Sequence, residues 1–184
     1  MKTAISVLAL VVALIGFRLV ASPPLRHSPD PLQLRNLDRY VRITDRPFEM
    51  HDSTIVFCRP PGEVALNPHE PAHPKTAFCN VYVNDMAKDP MVSGKGIYPE
   101  GSIVIKSKLA TVDSQKPELF TVMQKMANGY DADRGNWKYT VVDGTSFRQV
   151  ASGRIDSCIE CHEQYKETDY ITREYIVEER RTKR

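Results

Sequence analysis

Cys158, Cys161 and His162 form a Cys-x-x-Cys-His pattern late in the sequence. Two thiols at this spacing, followed at once by an imidazole, are the attachment signature of c-type haem. The spacing has a chemical reason. On a helix, residues three and four apart share a face, so two thiols can add to the two vinyl groups on one porphyrin edge while the next side chain reaches the iron. Two other chemistries use parts of the pattern. A thioredoxin-like dithiol needs only the cysteines and sits at the start of a helix after an early strand. A zinc site needs two further ligands, which Cys58 and Cys79 would have to supply. The haem reading uses all three residues and no others.

A second metal-like pattern fails on physical grounds. His69-Glu70-Pro71-Ala72-His73 has the letters of the zinc-protease motif HExxH. That motif requires a helix to bring both histidines to one face. Pro71 lies inside it and Pro68 and Pro74 flank it, so no helical turn survives. The stretch is a proline-rich loop.

The N-terminus bears on the redox environment. Lys2 precedes an apolar run from Ala4 to Phe17, which reads as a secretory signal peptide over residues 1–22 or, uncleaved, as a single membrane anchor. Either way the remainder is expected outside the cytosol, in a bacterial periplasm, where c-type haem is attached and thiols are bonded. The two cysteines left over, Cys58 and Cys79, are then a disulfide candidate. Their loop of about twenty residues would be worth about 3 kcal/mol by chain entropy. The near-balanced charge of +2 gives no signal for a nucleic-acid partner.

Residues 23–39 read as a proline-rich linker and a short helix, the helical pattern running from Leu32 to Ile43, and residues 177–184 as a charged tail. Between them the pattern is mostly β. In "TAFCNVYVND", Phe78, Asn80 and Tyr82 alternate with Cys79, Val81 and Val83. "GSIVIKSKLATV" and "WKYTVVDG" are further strands, and Thr121-Val122-Met123 tips "KPELFTVMQKMANGY" toward strand as well. A short helix over Cys158–Tyr170 carries the haem motif. The fold class is thus α+β, mostly antiparallel sheet with a few short helices. No methionine follows His162, which excludes the layout of small electron-transfer cytochromes, whose methionine ligand lies downstream. Met50, Met86, Met91, Met123, Met126, His51, His69 and His73 remain as sixth-ligand candidates for an electron carrier. Phe48, Phe78, Tyr82, Tyr98 and Tyr130 are candidates to cap an open site, with aromatic core packing as their plainer role.

Three segments carry a family likeness. "YPEGSIVIKSKL", "TVMQKMANGYDADRGNWKYTVVDG" and "GRIDSCIECHEQYKETDYITREY", in this order, resemble the cytochrome P-460 family over roughly residues 40–176. The resemblance implies an antiparallel β fold with one haem c per chain and, in many members, a homodimer. It implies an iron site open to a small gaseous or nitrogen-oxide ligand, with a redox partner protein. Members oxidise hydroxylamine or, like the β-type cytochromes c′, bind nitric oxide without catalysis. It also singles out Lys106, five residues after Gly101, as the position whose amine bonds the haem edge in the catalytic members. Lys108, on the same strand face, is its control.

Overall fold

The computed structural model describes residues 31–51 and 76–176. The HExxH letters, Cys58, the apolar stretch from Ala4 to Phe17 and the charged tail lie outside these residues.

A meander of five strands forms the body: β3 (Phe78–Val83), β4 (Ile103–Leu109), β5 (Leu119–Lys125), β6 (Trp137–Asp143) and β7 (Gln149–Gly153), each antiparallel to the next. Two short strands, β1 (Val41–Arg42) and β2 (Phe48–Glu49), pair with the outer edge of β3. Helix α1 (Asp85–Ser93) connects β3 to β4, and helix α2 (Asp156–Glu163) follows β7. The fold is α+β and mostly antiparallel sheet, as the alternating sequence pattern predicts. "KPELFTVMQKMANGY" contains strand β5.

The registers fix what each face carries. Val81, Lys106, Thr121 and Val141 stand in one row across β3–β6, and Val83, Val104, Met123 and Tyr139 in the next. These rows share a face because side chains alternate along each strand. The opposite face holds Ile105, Phe120, Val122 and Val142, which pack with Leu34.

Two local expectations need correction, and one element was not expected. The continuous helix expected over Leu32–Ile43 is two 3-10 turns, Pro31–Arg35 and Leu37–Arg39, followed by β1. Asn36 divides them because its side-chain oxygen accepts from the Asp38 amide at 3.1 Å, a local bond that competes with a helix ladder. The helix expected over Cys158–Tyr170 ends at Glu163; a 3-10 turn, Lys166–Thr168, continues the chain, and Asp169 and Tyr170 are left-handed. Helix α1 has no counterpart in the pattern reading. Pro90 lies inside it and masks it, although Asn84 caps its start and Gly94, at φ 67°, ends it. Arg173 covers the carbonyls of Met91 and Val92 that the helix end leaves open, which ties the C-terminal segment to α1.

Candidate functional site

Helix α2 sets the site. Ile155 accepts from the amides of Cys158 and Ile159, and buried Ile159 joins the helix to the core cluster that includes Met123 and Tyr139. Cys158, Cys161 and His162 then border one cavity together with the sheet rows. Its far wall is Val81, Val104 and Val141, with Met123, Tyr139 and Lys106 beside them. The C-terminal segment closes a third side with Tyr165, Ile171, Thr172, Glu174 and Tyr175. The cleft holds about 870 Å³ of space, counting what opens to solvent.

His162 is held in one tautomer. Its Nδ1 lies 2.7 Å from the Tyr170 carbonyl oxygen. A carbonyl only accepts, so Nδ1 carries the proton and Nε2 keeps its lone pair. Burial pushes the imidazole down to a pKa of about 4, against the Tyr170 carbonyl, which favours the charged form, and with the Lys106 charge adding to the fall. The ring is therefore neutral near pH 7, the state a metal requires. Tyr139 and Tyr165 flank it with ring centroids at 5.6 and 6.3 Å. Burial raises the pKa of both phenols.

The two lysines of β4 divide as their positions suggest. Lys106 stands between Val81 and Thr121 and lines the cavity. Lys108, two residues on, stands opposite Leu119 and pairs with Glu118 at 4.0 Å. One turns to the cavity; the other is spent at the sheet's rim.

Other expected residues fall elsewhere. Tyr82 packs with the opposite face, Phe48 stacks edge-on against Tyr175 at 5.4 Å, Tyr98 against Trp137 at 5.5 Å, and Tyr130 lies beneath Arg154. None of these, nor Phe78, lines the cavity. The aromatic rings that do are Tyr139, Tyr165 and Tyr175, which the pattern reading passed over. Tyr139 was open to detection, since it shares the strand face of Trp137 and Val141. Tyr165 stands just past the end of α2, and Tyr175 is placed by chain reversals beyond it that carry no periodic signal. Of the methionine and histidine candidates for a sixth ligand, Met123 borders the cavity; Met50 and Met91 are core, His51 is exposed, and His69 and His73 lie outside the described residues. Cys79 is fully buried on β3, and its proposed partner Cys58 lies outside the described residues.

No group of three or more histidine, cysteine or acidic side chains among the described residues could hold a bare metal ion. Two thiols and one neutral imidazole facing an apolar wall instead suit a metal carried by a macrocycle. The Cytochrome P460 family profile matches residues 63–173, more than half of the chain. No curated protein matches it.

Proposed function

The chain belongs to the cytochrome P460 family, whose members are haem proteins, and from that premise we propose an exported haem c protein that binds or oxidises small nitrogen species such as hydroxylamine or nitric oxide. One juxtaposition supports this most: Cys158, Cys161 and His162 on one helix, facing Lys106 across a cavity with an apolar wall. Cys158 and Cys161 would hold one haem per chain through thioether bonds, and His162 would hold its iron through Nε2. Bound there, the haem supplies an iron that exchanges an electron and offers a position to a small ligand.

The chain's own groups set the terms of that chemistry. The Tyr170 carbonyl keeps His162 in its donor tautomer and raises its basicity. Val81, Val104 and Val141 keep that wall dry, which strengthens electrostatic interactions within it. Lys106 would present its amine to the haem edge, the position the family likeness singles out. Export to a periplasm, a redox partner protein and a homodimer complete the proposal.

A second reading, an electron carrier without a free iron position, draws support from Met123 in the cavity wall. Absorption spectra decide between them. The proposal expects the reduced protein to bind carbon monoxide and nitric oxide with no protein ligand opposite His162. A six-coordinate spectrum that Met123→Leu abolishes would establish the carrier. Tryptic mapping tests Lys106: a crosslink joins a Lys106 peptide to the Cys158–His162 haem peptide and suppresses cleavage at Lys106. Complete cleavage with an ordinary haem c spectrum favours gas binding over oxidation.

A further inference from the structure

The carbonyl that orients His162 belongs to a residue in an unfavourable conformation. Asp169 and Tyr170 have φ of 53° and 65°. Asp tolerates the left-handed region; a bulky tyrosine rarely adopts it, and two such residues in succession persist only where the surroundings dictate it.

The surroundings do dictate it. Lys125, the last residue of β5, places its ammonium 2.7 and 2.6 Å from the two carboxylate oxygens of Asp169. Both side chains are more than nine-tenths buried. The Tyr98 amide donates to the same carboxylate at 2.8 Å. The indole nitrogen of Trp137, the first residue of β6, donates to the Asp169 carbonyl at 2.8 Å, and the Lys125 ammonium lies 4.9 Å from that ring's centroid. Tyr170 is held in turn. Its amide donates to Tyr165 O at 2.8 Å, its hydroxyl donates to Asp133 O at 2.8 Å, and its ring packs so closely on Gly135 that a β-carbon there would lie 2.6 Å away. The peptide oxygen left facing α2 is the one that accepts from His162.

We propose that Lys125 and Asp169 are a positioning pair for His162. Anchored in the sheet, they hold the left-handed turn that aims the Tyr170 carbonyl at Nδ1 of His162. Neither residue borders the cavity, so they act through Tyr170. The sheet thereby sets how strongly Nδ1–H donates, and with it how strongly Nε2 donates to iron. A stronger donor favours the oxidised metal. The pair would therefore lower the reduction potential and stiffen the iron–histidine bond. This inference rests on the haem reading above.

The test uses the full-length haem-loaded protein. The double variant Lys125→Met/Asp169→Asn removes both charges together. Asn still tolerates the left-handed backbone and can accept from the Tyr98 amide, and Met fills the lysine stem. Expected are a lower iron–histidine stretching frequency in the reduced protein and an upward shift of midpoint potential, with haem still attached. Trp137→Phe removes one donor from the Asp169 carbonyl and should shift both in the same direction by less. If the double variant does not fold, Trp137→Phe alone decides. Unchanged frequency and potential in a haem-loaded variant overturn the inference, even if thermal stability falls. Wild-type protein without haem would overturn the haem reading instead.

Discussion

The two faces of the sheet are built from the same strands, one residue out of phase, and solve opposite problems. On the far face Ile105, Phe120, Val122 and Val142 close against Leu34, and Phe147 packs on Phe120 at 5.8 Å beneath the Arg35 guanidinium. Those side chains pack on one another, and at the rim Leu34, Phe120 and Phe147 border a groove open to solvent. On the near face Val81, Val104, Lys106, Met123 and Tyr139 leave a cleft that α2 borders and does not fill. There the polar groups are committed: buried Lys125 to Asp169, and half-buried His162 to Tyr170. One face stabilises the protein, and the other holds a histidine in its donor tautomer beside a space.

The largest expected effect breaks the far face. Phe120→Ala should cost about 3–5 kcal/mol by cavity formation, read as a lower denaturant midpoint, while the haem content of folded protein stays unchanged. An equal loss of haem would mean that the faces are not independent. On the near face, Lys125→Met alone leaves the Asp169 carboxylate buried and unpaired. It should cost on the order of 3–5 kcal/mol, and adding Asp169→Asn should recover much of it. That recovery, measured by chemical denaturation, separates a charge effect from a packing effect.

A pH experiment sharpens the contrast. Burial lowers the His162 pKa in the folded state to about 4, below its unfolded value of 6.5. The folded state then resists the proton that the unfolded chain accepts. In haem-free Cys158→Ala/Cys161→Ala protein this contribution to stability is complete above pH 6.5 and is lost as pH falls through about 4, on the order of 3 kcal/mol at full extent. Adding His162→Phe should flatten that slope. A slope that persists belongs to other groups.

The smallest effect lies away from both faces. Asn84 accepts from the amides of Ala87 and Ile103 and donates to the Gly101 carbonyl at 2.8 Å. Asn84→Ala should cost about 1 kcal/mol in thermal unfolding and leave the haem spectrum alone.

The strands were legible because alternation survives in "FCNVYV" and "WKYTVV", and each strand's two faces follow from it. The haem motif was legible because its spacing is local. The cavity's third wall was not. Tyr165 lies just past the end of α2, and Tyr175 reaches the cavity only after a 3-10 turn and two left-handed residues, a path set by tertiary bonds rather than by periodicity. The Lys125–Asp169 pair joins residues 44 positions apart, and nothing in the one-dimensional pattern links them. Helix α1 escaped for a different reason: Pro90 contradicts the caps that frame it.

The central claim is that Cys158 and Cys161 bond a haem whose iron His162 holds. The most direct measurement is the intact mass of protein purified from a host that attaches haem c, taken before and after acid-acetone treatment. The account predicts the mass of the processed polypeptide plus one haem, unchanged by the extraction. The bare polypeptide mass, with Cys158 and Cys161 both open to alkylation, would contradict it.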